Sequence, residues 1–314
     1  MVHGNPSNPS IYPPLTMHFF TFTFLILIDL QMAAQKFHAQ STSSLSTEDF
    51  KWPSQFVRNG PANLRVKVQG SGPTVVILPS LGRDSGNDFN YFSSALVQAG
   101  YLVLRPQARG MLGSTGPMEN VTMDDLVEDV AQAIDVLGGG KAIVIGHAYG
   151  AFVTRVLAAK YPEKVPAVIT AAAQAMNVPA NISALPAIAA NLSAPIPERL
   201  AALSAGFFAP NHDPHIWLDG WWPEALVMQT AAVKDFGSLN PYWAGGNTTQ
   251  VLEILAEYDP FHSKDQWNQS TELYPDRVVS VVIDDASHAL FPEQGEKVVE
   301  TVLPWLKAQS SKLG

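Results

Sequence analysis

The sequence predicts an α/β fold, a mostly parallel doubly wound sheet with helices on both faces and a helical insertion late in the chain. Three observations carry this prediction. Short β-branched runs alternate with stretches of helical composition, at spacings that suit right-handed crossovers between parallel strands. One strand passes into a helix within five residues, between Gly146 and Gly150. The strand pattern stops at about Met176 and returns only at Val251. With 314 residues and 46% hydrophobic content, the chain can bury a large core as one domain with an insertion.

Residues 1–54 read as a targeting-like segment and linker, and linker composition persists to about residue 62. Phe19 to Ile28 is an apolar run of signal-peptide length, too short to span a bilayer. If synthesis starts at Met17, the run falls where a signal peptide belongs, although Lys and Arg are missing before it. Asn120, Asn181, Asn191, Asn247 and Asn268 each open an Asn-x-Ser/Thr sequon. Together these features raise the expectation of a glycosylated protein of the secretory pathway. With no cysteine in the chain, disulfides, thiolate metal sites and a cysteine nucleophile are excluded. The net charge of −9 argues against nucleic acid or an anionic membrane as partner.

The core is expected over residues 55–175 and 246–308, with the insertion at 176–245 and a tail at 309–314. Leu64 to Val68 alternates like a half-exposed strand, and Thr74 to Leu78 reads as a buried one. Asp88 to Ala99 has helical spacing and stops at Gly100; Tyr101 to Leu104 is the next strand. Thr122 caps a strong helix running to Leu137, with Asp125 at the capping-box position. Ala142 to Ile145 reads as a strand buried on both faces. The helix from Ala151 to Lys160 ends before Pro162. Ala167 to Thr170, Val251 to Leu255 and Val278 to Ile283 complete the strands, and a closing helix runs from Gly295 to Leu306.

Gly146-His-Ala-Tyr-Gly150 has the frame of a nucleophile elbow, G-x-S-x-G, with alanine at the reactive position, Ala148. Three further stretches stand in register with the strands: Leu78-Pro-Ser-Leu-Gly-Arg83, Arg105-Pro-Gln-Ala-Arg-Gly-Met-Leu-Gly-Ser114, and the pair Ala256-Glu-Tyr-Asp259 and Ala286-Ser-His288. With these, residues 55–308 closely resemble the α/β-hydrolase fold family. The resemblance implies that His288 is the general base and Asp259 the acid that orients it. It further implies that the main-chain N–H groups of Arg83 and Tyr149 form an oxyanion hole. It implies a small-molecule substrate and no cofactor. No stable membrane span is expected in the mature protein, and the oligomeric state is left open.

The nucleophile does not carry over, and three readings compete. Ala148 could be an engineered replacement of serine. The site could be silent and the protein a ligand-binding module. Or the His288–Asp259 dyad could act directly on water or substrate, in hydrolysis or in lyase or cyclase chemistry. The last is favoured, because a silent site has no use for both its base and its acid. Arg83 in the oxyanion loop and the insertion's Phe207, Trp217, Trp221 and Trp222 are the expected pocket residues, suggesting an apolar, ring-bearing substrate bearing a carbonyl, ester or lactone. His147 is expected to pack rather than react. Ser114 is expected to shape a wall, and His212 and His215 to lie on the surface without a metal.

Overall fold

A computed structural model describes residues 52–237 and 240–313. Its sheet has eight strands: β1 (Ser54–Asn59), β2 (Ala62–Gln69), β3 (Thr74–Leu78), β4 (Leu102–Pro106), β5 (Ile143–His147), β6 (Ala167–Ala171), β7 (Gln250–Ala256) and β8 (Val278–Ile283). Their spatial order is β1-β2-β4-β3-β5-β6-β7-β8. β2 is antiparallel to both neighbours and every other pairing is parallel. The helices are α1 (Asn90–Gln98), α2 (Met123–Leu137), α3 (Tyr149–Lys160), α4 (Ala180–Ser183), α5 (Leu185–Ala189), α6 (Ile196–Gly206), α7 (Pro223–Phe236), α8 (Gln269–Leu273), α9 (Leu290–Glu293) and α10 (Gly295–Gln309). The apolar run at Phe19 to Ile28 lies outside the described residues.

Burial follows position in the sheet. Every residue of β3, β5 and β6 is buried, as expected of central parallel strands covered on both faces. Val76, Val144 and Val168 pack in one cluster with the inner faces of α2 and α3. Each such side chain contributes about 1.5–3 kcal/mol of burial. β8 is an edge strand and leaves Val279 and Val282 exposed. The α2 capping box forms as expected: the Asp125 N–H donates to Thr122 Oγ1 at 3.1 Å, and Asp125 Oδ2 accepts from the Thr122 N–H at 2.8 Å.

Three expectations are revised. The supposed linker up to residue 62 contains β1, which pairs with β2 through a tight hairpin turned at Gly60 (φ 52°). Asp88 belongs to a short 3₁₀ turn before α1, because its carboxylate is held by Arg83 and Trp217. The strand expected at Tyr101 starts at Leu102 and extends to Pro106, where antiparallel pairing with β2 carries it on. Between β6 and β7 the described residues are helices and turns with no strand. Among the described residues, no helix is long and apolar enough to cross a membrane.

Candidate active site

Two glycines make the turn between β5 and α3 possible. A Cβ on Gly146 would sit 2.4 Å from the Gly150 carbonyl oxygen, and one on Gly150 would sit 2.4 Å from that of Leu78. Between them Ala148 adopts φ 50° and ψ −109°, a left-handed conformation that strains a residue with a Cβ. Hydrogen bonds over-determine it. The Ala148 N–H donates to Ala171 O at 2.9 Å, and the Gly150 N–H donates to Pro79 O at 3.0 Å. The elbow is thereby tied to β6 and to the loop after β3.

His288 and Asp259 arrive on the loops after β8 and β7. These loops are zipped together: the Tyr258 N–H donates to Ala286 O at 2.8 Å, and Ser287 Oγ to Tyr258 O at 3.1 Å. His288 Nδ1 then lies 3.0 Å from Asp259 Oδ2 and 3.2 Å from Oδ1, with both residues buried. Asp259 Oδ1 also accepts from the Phe261 N–H at 2.9 Å. Phe261 and Phe207 flank the imidazole, with ring centroids 4.3 and 5.5 Å away. Asp259 fixes Nδ1 as the protonated nitrogen, leaving Nε2 to accept a proton. Glu293 holds the arrangement from behind, accepting from the Ser287 N–H at 2.7 Å and the Ala209 N–H at 2.6 Å.

His288, Ala148, Tyr149, Ser80 and Leu81 line one cavity of about 380 Å³, with Phe207, Phe261 and Phe152 among its apolar walls. Arg83 is displaced from the role expected of it. Its N–H closes a turn onto Ser80 O at 3.2 Å. Its guanidinium pairs with Asp88, donates to Asp219 O and lies over the Trp217 and Trp221 rings. Leu81 stands where the loop meets the cavity. The N–H groups of Leu81 and Tyr149 have no acceptor among the described residues. The resemblance aligned Arg83 with the first of these donors; counting two residues on from the Leu78-Pro79 strand end points to Leu81 instead.

Of the expected aromatic pocket residues, Phe207 alone lines this cavity. Trp217 and Trp221 lie behind it in the insertion's own core, and the Trp221 ring N–H donates to Trp217 O. Trp222 donates to Asp84 Oδ2 at 2.9 Å. The Ser114 hydroxyl is spent within its loop, donating to Gln107 O and accepting from the Arg65 N–H. His212 faces Asp285 and His215 faces Asp213, each with a separate partner. All five sequon asparagines are exposed.

His147 does more than pack. Its Nε2 lies 2.7 Å from the His288 carbonyl, to which it donates, so it props the base's backbone. Burial, then the nearby His288, pulls its pKa down to about 3. Because the folded value lies below the unfolded value of about 6.5, acid favours the unfolded chain. Below about pH 6.5 this residue is expected to remove roughly 1.4 kcal/mol of stability per pH unit until its folded pKa is reached. His147→Gln keeps an N–H donor and cannot titrate. Urea unfolding at pH 6.5, 5.5 and 4.5 should give the variant a slope shallower by about one proton; equal slopes would refute it.

The comparisons agree with this architecture. The family model described as alpha/beta hydrolase fold matches residues 73–194. An esterase from Exiguobacterium antarcticum superposes with a TM-score of 0.68 at 18% identity, over 81% of this chain and 100% of that one. The chain has the α/β-hydrolase fold. Among curated proteins, it is 32% identical over 124 residues to bifunctional epoxide hydrolase 2 of Sus scrofa, covering 39% of this chain and 22% of the relative. It is 32% identical over 129 residues to epoxide hydrolase A of Mycobacterium tuberculosis, covering 40% and 38%. The match thus spans less than half the length of these relatives. The α/β-hydrolase family match covers the elbow and ends before Asp259 and His288, so the dyad rests on its own geometry.

Proposed function

We propose that this protein is a hydrolase that works without a serine nucleophile, on an apolar small molecule bearing an ester, lactone or related carbonyl. The observation that supports it most is the intact Asp259–His288 pair opening onto a cavity whose floor is Ala148. The oxygen that a serine would carry there is absent, which leaves room for a water molecule. In this reading His288 Nε2 takes a proton from that water as its oxygen attacks the carbonyl carbon. The carbonyl electron pair moves to oxygen and is met by the Leu81 and Tyr149 N–H groups. Collapse expels the alcohol oxygen, which takes the proton back from His288. The helical segment between β6 and β7 acts as the lid.

Similarity to epoxide hydrolases and an esterase favours hydrolysis as the reaction class. It does not extend to a substrate. The secretory location and the five glycosylation sites belong to the same proposal. The competing reading, favoured by Ala148 itself, is a silent ligand-binding protein.

Turnover of a panel of aryl esters and lactones by the unmodified protein, with Ala148→Ser alongside, separates the two. Steady-state hydrolysis by the unmodified protein supports the proposal, and the serine variant should add a burst of acyl-enzyme. Hydrolysis by Ala148→Ser alone would make the natural site silent toward esters and overturn it.

A further inference from the structure

The cavity that holds His288 is apolar on most of its wall, yet part of its lining is polar. Thr230, Val233 and Lys234 line it from α7, at the i, i+3 and i+4 spacing that brings three side chains onto one helix face. Gln174, on the segment after β6, lines it as well. Among the described residues, Lys234 makes no ion pair, and neither Thr230 nor Gln174 has a side-chain hydrogen bond. No Asp or Glu lines the cavity, although the chain carries 28 acids against 19 Lys and Arg. An uncompensated ammonium at the mouth of an apolar cavity, in an acidic protein, is a local reversal of sign. A lysine in a helix's last turn also offsets the helix dipole, but that role requires no particular face. Here the face is the one shared with Thr230 and turned to the cavity.

We propose that Lys234, with Thr230 and Gln174, forms an anion subsite, and that the substrate is a carboxylate-bearing ester or lactone. Its apolar body lies against Phe207 and Phe261, its reacting carbonyl lies at His288, and its carboxylate lies at the α7 end. Lys234 is exposed, so its ammonium remains hydrated until the carboxylate arrives. Recognition is then partly screened by salt. This proposal rests on the hydrolase reading for its carbonyl and on the cavity alone for its carboxylate.

The test compares phenyl hydrogen glutarate with phenyl pentanoate, esters of equal chain length that differ in the terminal carboxylate. The unmodified protein should prefer the acid ester. The ratio of the two kcat/KM values should fall about two- to fivefold in Lys234→Gln and further in Lys234→Glu, and the preference should weaken at high salt. Calorimetric binding of 5-phenylpentanoate against 5-phenylpentan-1-ol reads the same subsite without chemistry. Carboxylate-selective, Lys234-dependent binding with no ester turnover would uphold the subsite while the hydrolase reading fails. Turnover of both esters at a ratio that Lys234→Gln leaves unchanged would overturn the subsite while the hydrolase reading stands.

Discussion

Replacing His288 by alanine is expected to lower ester turnover at least about a thousandfold, because in a site without a nucleophile the base carries the proton transfer itself. What survives should come from the backbone N–H groups and from binding. The alanine variant also leaves the Asp259 carboxylate buried, with the Phe261 N–H as its remaining partner among the described residues, so some loss of stability is expected. His288→Gln separates the two effects, since its amide can still donate toward Asp259 but cannot take up a proton. Both variants should bind a product carboxylate within a few-fold of the unmodified protein, measured by calorimetry. Either one retaining more than a tenth of the turnover would move the base elsewhere.

The largest effect on stability is expected at the elbow. Gly150→Ala drives a Cβ to within 2.4 Å of the Leu78 carbonyl oxygen and 2.8 Å of its carbon, and both are backbone atoms of the buried strand β3. No side-chain rotation can relieve this contact, so the cost should be about 3 kcal/mol or more. Ala148→Gly works in the opposite sense, releasing a non-glycine residue from φ 50°. It recovers about 1–2 kcal/mol of strain against about 1 kcal/mol of added chain entropy, for little net change. Chemical denaturation of both variants measures the difference, and a Gly150→Ala protein as stable as its parent would refute the packing.

The sheet was legible because parallel strands covered on both faces must be continuous apolar runs, and β3, β5 and β6 are such runs. Asp259 and His288 were legible because each lies in the loop that follows a strand. β1 was not, since Gln55, Arg58 and Asn59 give an edge strand the composition of a linker. Arg83 misled because the resemblance placed it in the oxyanion loop, whereas the turn from Ser80 sends its N–H back into the loop and its guanidinium toward Trp217. The tryptophans misled because composition carries no direction, and Trp217 and Trp221 point into the insertion's core. Lys234 had no sequence signal of its own; its position depends on α7 crossing the cavity.

The strained backbone at residue 148 has a consequence for how this protein could change. Serine and alanine codons of the matching series differ by a single base, and the flanking glycines, base and acid already stand in place. A library randomised at this one codon and screened on a chromogenic ester would therefore sample covalent and water-based catalysis side by side, on a scaffold that needs no other repair.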